Sequence, residues 1–269
     1  MDNPDILNLL TLLSSSKLRE RNAALESLTT ILKESPSHIP PKTFHPISES
    51  LIELLDLEHR KYCNLIEDVN KSNASKISLS ENKLSTIAYT IRLFIEKVGD
   101  RFKQKTLNFH LTILPHLMVI DGRDSLLEAV SVHLSFALII IVESRPFQLK
   151  FTAHQWTSIM EKVCNYLDTQ IQKSTSNRTV SNLIRIIDCL LKLDTIALFE
   201  HSLTLHRTIT NLVETIEHIS VDTRLILEIV NLLVEKTYLN NINQTLKLVE
   251  ETWKYTINFN TTSNEALYD

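Results

Sequence analysis

Two glycines in 269 residues leave this chain few ways to turn tightly. Average usage, about 7%, would supply roughly 19. Two-residue hairpins need backbone conformations that glycine adopts at least cost, and phosphate-binding loops need glycine where the backbone approaches the ligand. A chain this poor in glycine builds neither a many-stranded sheet nor a nucleotide-binding loop. Long helices joined by short polar turns remain. With 43% hydrophobic residues there is ample apolar surface to bury between them.

Helical periodicity recurs along almost the whole chain. Pro4 suits the first turn of a helix ending near Leu13, and Ser14-Ser15-Ser16 offers N-caps for a second helix over residues 17–33. A turn rich in proline (Pro36, Pro40, Pro41, Pro46) precedes a helix running from Pro46 towards Asp68. The polar residues 70–79 read as a loop, Ser80 as the cap of a helix reaching Val98, and Gly99-Asp100 as its stop. Further helices are expected near 102–119, 124–143, 153–172, 179–193, 202–218, 222–237 and 242–257, with Gly122 and Pro146 at breaks. The polar residues 258–269 are expected to form a disordered tail.

Alternate helices start near 80 and 124, and again near 180 and 223. That spacing matches the two-helix period of HEAT-type repeats, about 40–47 residues. The units share no sequence identity, and a helical bundle is the alternative. About ten helices favour stacking, since bundles are commonly built from roughly four. The run Leu225–Val234 (LILEIVNLLV) is apolar nearly all round, so it has to be covered on both sides, as an inner helix of a stack is. The expected fold class is all-α, an α-solenoid of HEAT-like antiparallel helix pairs.

A net charge of −4, from 28 basic and 32 acidic residues, makes no bulk case for nucleic acid or an anionic membrane. Cys63, Cys164 and Cys189 are widely spaced, odd in number and set in apolar stretches, which fits reduced thiols of the cytosol or nucleus. The apolar run Leu134–Val142 is too short to cross a bilayer, which takes about 20 residues. There is no phosphate loop, no kinase set of motifs and no G-x-S-x-G elbow. His59 and Cys63 stand at i, i+4, but two ligands alone make poor zinc chemistry. His110, His116 and His133 flank apolar helices and read as core or boundary residues. Nothing here calls for a metal or a cofactor, and the chain reads as non-catalytic. Lys97, Arg101, Lys103 and Lys105 cluster around Gly99, either as a solvated helix junction or as a contact for phosphate or an acidic partner.

The segment Leu13–Leu28 reads LSSSKLRERNAALESL. At about 100° per residue, Leu18, Leu25, Leu28 and Leu32 fall on one stripe, with Arg21 in its middle and Lys17 at its edge. Arg19 and Glu20 point away. A cation inside an apolar stripe either snorkels out or is paired. The expected partner is a carboxylate or carbonyl of a neighbouring helix, with Glu49, Glu53 and Asp56 as the candidate carboxylates.

Lys17, Arg19, Glu20, Arg21, Ala24, Leu25 and Leu28, all within the first thirty residues, resemble the N-terminal TAN motif of the ATM family of phosphatidylinositol-3-kinase-related protein kinases. Three further segments, Ile77–Ile87 (ISLSENKLSTI), Ser125–Leu138 (SLLEAVSVHLSFAL) and Phe147–Trp156 (FQLKFTAHQW), are similar to the budding-yeast branch of that family. The likeness runs from Met1 to about Tyr255. It implies a division into N-terminal helices with the TAN motif (1–35), HEAT-like repeats (36–257) and a tail (258–269). It also implies a nuclear serine/threonine kinase whose catalytic domain lies far C-terminal of this region. Such kinases are recruited to broken DNA ends and telomeres by an MRX (MRN-type) complex through its nibrin-type subunit, and phosphorylate SQ/TQ sites. The alternative for this chain is a stand-alone HEAT-repeat adaptor in transport or complex assembly.

Overall fold

The computed structural model describes residues 4–67, 74–103, 105–106, 125–143, 153–173, 177–192, 202–215, 223–237 and 242–265. Ten α-helices lie among the described residues and no strand does. The chain divides into two compact units, residues 1–150 and 151–269.

The first unit contains α1 (Pro4–Leu13), α2 (Leu18–Glu34), α3 (Phe44–Glu67), α4 (Ala74–Val98) and α5 (Ser125–Glu143). Helix α1 packs on α2 and α3, α4 on α2 and α3, and α5 on α4. The expected turn of four prolines is not an open loop. Pro36–His38 and Pro41–Thr43 are single 3-10 turns, each opening on its proline, whose fixed φ suits a first helical position. Helix α3 begins at Phe44, so Pro46 lies inside its first turn. Phe44 meets Phe94 edge-on, with ring centroids 6.0 Å apart, while Ser80 donates to Glu58 at 3.0 Å. The start of α3 therefore faces the end of α4, and the pair is antiparallel. Phe102, just after the 3-10 turn Gly99–Arg101, closes the aromatic cluster at 5.7 Å from Phe44 and 5.3 Å from Phe94.

Two boundaries differ from the sequence reading. The polar residues 74–79 are helical, so the expected loop shrinks and α4 begins six residues before Ser80. Ser80 caps nothing; it is buried in mid-helix and gives its hydroxyl to the Glu58 carboxylate. Lys17, not one of the three serines, occupies the N-cap of α2 and makes no side-chain cap bond. Most of the helix expected near 102–119 lies outside the described residues.

The second unit contains α6 (Ala153–Lys173), α7 (Asn177–Lys192), α8 (Ser202–Thr215), α9 (Thr223–Thr237) and α10 (Ile242–Glu265). Helices α6, α8 and α10 pack one on the next in a row, while α7 and α9 form a second row against them. This is the layered stacking of a solenoid-like fold. Helix α9 is the run singled out as apolar all round. Ile226, Ile229, Val230 and Leu233 are buried, and Leu225, Leu227, Leu232 and Val234 are half-buried on the two flanks. Helix α10 continues through Glu265, eight residues past the expected end, so it takes in much of the stretch expected to be a tail.

Candidate functional site

The residues of the TAN-like motif run from the N-cap of α2, Lys17, through about the first three turns of the helix, to Leu28. The backbone N–H of Lys17 donates to the Ser15 hydroxyl oxygen at 3.1 Å, and that hydroxyl donates to Glu20 Oε2 at 2.6 Å. Lys17 Nζ reaches Glu20 Oε1 at 2.8 Å. Hydrogen bonding to Glu20 raises the Lys17 ammonium above the usual lysine range. The bonds from Lys17 and then Ser15 hold the Glu20 carboxyl below the usual carboxylate range. A carboxylate one turn into a helix also offsets the positive end of the helix dipole.

Arg21 is half-buried and donates from NH1 to the Ser15 carbonyl at 2.6 Å. The acceptor is thus a carbonyl of the turn preceding its own helix, not Glu49, Glu53 or Asp56. Glu49 instead lies 3.1 Å from Nε2 of His45, one turn away on α3. The reason is reach: side chains on a helix lean back toward its N-terminus, so the Arg21 fork meets the Ser15 carbonyl, in the turn before α2, first. Arg19 is exposed, as the wheel requires. Ala24, Leu25 and Leu28 are buried, with Leu28 at 0% exposure. Leu18 departs from the expected stripe and is 41% exposed.

That exposure has a setting. Leu18 and Arg21 line a cleft of about 140 Å³ whose walls are α2, α3 and α4. Leu25, Leu54 and Ile87 supply apolar lining, and Leu57, 37% exposed, is a second open leucine. Lys83 and Glu58 also line it. The Glu58 carboxylate is nearly buried and accepts from Ser80 at 3.0 Å and Lys61 at 3.3 Å, with Lys83 Nζ at 3.9 Å. Two open leucines suit an apolar anchor, and the lining sets two cations, Arg21 and Lys83, beside two carboxylates, Glu26 and Glu58. Glu58 did not stand out in the sequence, because it is one polar residue on an ordinary amphipathic helix, and Ser80 stood out only as a cap. Their shared contact, 22 residues apart, exists only once α3 and α4 pair.

The basic cluster is divided. Lys97 pairs with its neighbour Glu96 at 3.3 Å. Arg101 stacks its guanidinium 4.8 Å from the Phe44 ring centroid and donates to the Ile39 carbonyl at 3.2 Å. Lys103 and Lys105 are exposed. His133 sits half-buried on the α4–α5 seam, with Nδ1 3.5 Å from Arg92 NH1 and its ring 5.2 Å from Tyr89. Burial, and then the Arg92 charge, push its pKa down. His59 and Cys63 are half-buried on α3, while His110 and His116 lie outside the described residues. Among the described residues no group of three or more His, Cys, Asp or Glu side chains forms a metal site. No described helix is long and apolar enough to cross a membrane.

In the second unit, Asp168 of α6 gathers three donors from α8: Arg207 at 3.3 Å, Thr208 at 3.1 Å and Asn211 at 3.3 Å. Beside it the Cys164 thiol is pushed up to about 12, chiefly by burial. Lys192 bridges Asp188 at 2.7 Å and Glu228 of α9 at 2.9 Å, and these bonds raise its pKa. These contacts join helices, and Arg207 and Asn211 also line a cleft of about 150 Å³ on α8.

Residues 6–157 match the family model described as TAN, telomere-length maintenance and DNA damage repair. The chain is 45% identical over its whole length to the serine/threonine-protein kinase TEL1 of Saccharomyces cerevisiae, covering 10% of that protein. It is 30% identical over 96% of its length to the Kluyveromyces lactis protein of the same name, and 30% identical over 98% to that of Candida glabrata, covering 9% and 10% of them. It thus spans about a tenth of the length of the curated relatives it matches. No solved structure matches the chain.

Proposed function

Because the chain belongs to the TAN family of telomere-length maintenance and DNA damage repair, we propose that it is the N-terminal recruitment and regulatory arm of an ATM-type serine/threonine kinase. In this reading the kinase works in the nucleus, at DNA double-strand breaks and chromosome ends. The arm does no chemistry. It holds the kinase to an MRX-type complex through the nibrin-type subunit, and so reaches DNA ends and telomeres indirectly. The catalytic domain belongs to another part of the protein.

The whole-chain likeness to curated kinases ten times longer supports the reading most strongly. The cleft beside the TAN-like helix suits it. Its leucines offer a seat for an aromatic or aliphatic side chain, and Arg21 and Lys83 offer charge to an acidic flank. The occupant expected is a short acidic, aromatic peptide of the nibrin-type subunit.

Titration of that subunit's C-terminal peptide against this chain tests the proposal. Binding tighter than about 100 μM, or about −5.5 kcal/mol, is expected. Leu18→Glu and Leu57→Glu should each weaken it at least about tenfold, since each sets a carboxylate at an open leucine of the cleft. Absence of binding by the wild-type chain removes the docking reading. Binding that ignores both variants moves the contact away from the cleft.

A further inference from the structure

Helix α10 carries an apolar ridge that nothing described covers. Ile242, Leu246, Val249 and Trp253 are 46%, 54%, 44% and 67% exposed. Their spacing of four, three and four residues puts all of them on one face. At about 100° per residue the ridge is centred roughly 100° round the helix from Thr245 and Leu248, which are buried. Helix α10 therefore has two adjoining apolar faces, of which α8 and α9 cover one. Four large apolar side chains in line on one helix differ from apolar residues scattered singly over a surface, which need no explanation.

The order of the rows says what is missing. In the row α6, α8, α10, the first two helices are each followed in the chain by a member of the second row, α7 after α6 and α9 after α8. Each of those followers packs on the helix it follows. Helix α10 alone has no described follower. The relatives that match the whole chain are about ten times its length.

We propose that the Ile242–Trp253 ridge is an internal seam of a longer protein, the seat of an amphipathic helix of the same polypeptide that follows α10 and extends the α7–α9 row. The occupant is intramolecular and apolar, with aliphatic residues meeting Leu246 and Trp253. Its charged face points away from the ridge, where Lys254 already pairs with Glu250 and Glu251 at 3.0 Å. The inference stands apart from the recruitment reading, so a failed peptide titration leaves it untouched.

Hydroxyl-radical footprinting, read by mass spectrometry at Trp253, tests it in the 269-residue chain and in the full-length protein. Trp253 should be oxidised readily in the 269-residue chain and at least about fivefold more slowly in the full-length protein, as expected of a side chain moved into a packed interior. The paired substitution Leu246→Glu with Trp253→Glu should leave the melting temperature of the 269-residue chain unchanged, because both side chains face water there. In the full-length protein it should raise the oxidation of the ridge residues that remain, Ile242 and Val249, to the level seen in the 269-residue chain. Equal oxidation of Trp253 in the two proteins overturns the proposal. So does protection that appears only when another protein is added. A dimer of the 269-residue chain that is abolished by the double substitution, and that persists at full length, makes a second copy the occupant and overturns it as well.

Discussion

Arg21 shows how a single side chain can be placed correctly on a helix and still be paired wrongly. Its wheel position inside an apolar stripe demands an acceptor, and the acceptor is the Ser15 carbonyl at 2.6 Å. A half-buried charged donor on a neutral acceptor is worth about 1–2 kcal/mol, less than the roughly 3–5 kcal/mol lost when a buried ion pair is broken. Arg21→Ala should therefore lower the melting temperature by a few degrees in a thermal scan, while Arg19→Ala, altering an exposed residue, should leave it within error. A wild-type melting curve for Arg21→Ala would remove the structural role assigned to that bond. Cys164 gives a second prediction at this scale. With its thiol buried and pushed up to about 12, it stays protonated and enclosed near pH 8. Mass spectrometry after maleimide treatment of the native chain should find Cys164 unmodified, and denaturant should expose it. Rapid native labelling would contradict the packing of α6.

Helix by helix, much was legible in the sequence, and the failures share a cause. Apolar periodicity marks where a helix buries its face, so α1, α2 and α5 through α9 fall close to expectation. It does not mark where a polar stretch stays helical because another element receives its side chains. Residues 74–79 read as a loop on polarity alone, yet Ser80 just beyond them is satisfied by Glu58 of α3. The cleft was illegible for the same reason, since its three walls come from helices whose pairing no local pattern encodes. Leu28 is buried at 0% exposure in the packing of α2. Leu28→Ala should destabilise the chain by about 2–5 kcal/mol in denaturant titration, and a loss below ~1 kcal/mol would mean that α2 is not docked. The α4–α5 seam makes a prediction about pH. His133 has a folded pKa below the usual 6.5, and Arg92 faces it, with Glu96 3.9 Å from Arg92. As pH falls, the unfolded chain takes up the proton first. The contribution of His133 is intact above the ordinary histidine pKa and is lost as pH falls through the depressed folded value. Stability measured between pH 7.5 and 5 should decline, and His133→Gln should flatten that decline. An unchanged slope would assign it to other groups.

At the scale of the whole molecule, the family match to residues 6–157 nearly coincides with the first compact unit, residues 1–150. Stacked-helix proteins draw stability mainly from contacts between neighbouring elements, so a unit that keeps its neighbours tolerates truncation. A chain ending at residue 150 should be helical by circular dichroism and unfold cooperatively. A broad, non-cooperative melt would show that the first unit depends on the second. The glycine count made the all-α class legible, but the position of the division was not, because the break expected at Pro146 looks in sequence like any other turn between helices. Within the first unit, Arg101 has a consequence for the order in which the chain opens. By joining the Ile39 carbonyl and the Phe44 ring, it fastens together positions 62 residues apart, closing a loop that contains all of α3 and α4. A clasp across a long loop offsets the chain entropy lost in closing it, and makes what it encloses behave as one cooperative piece. Amide protons of α3 and α4 should thus exchange with solvent deuterium at a common rate, and Arg101→Ala should accelerate both helices together, including turns far from the substituted residue.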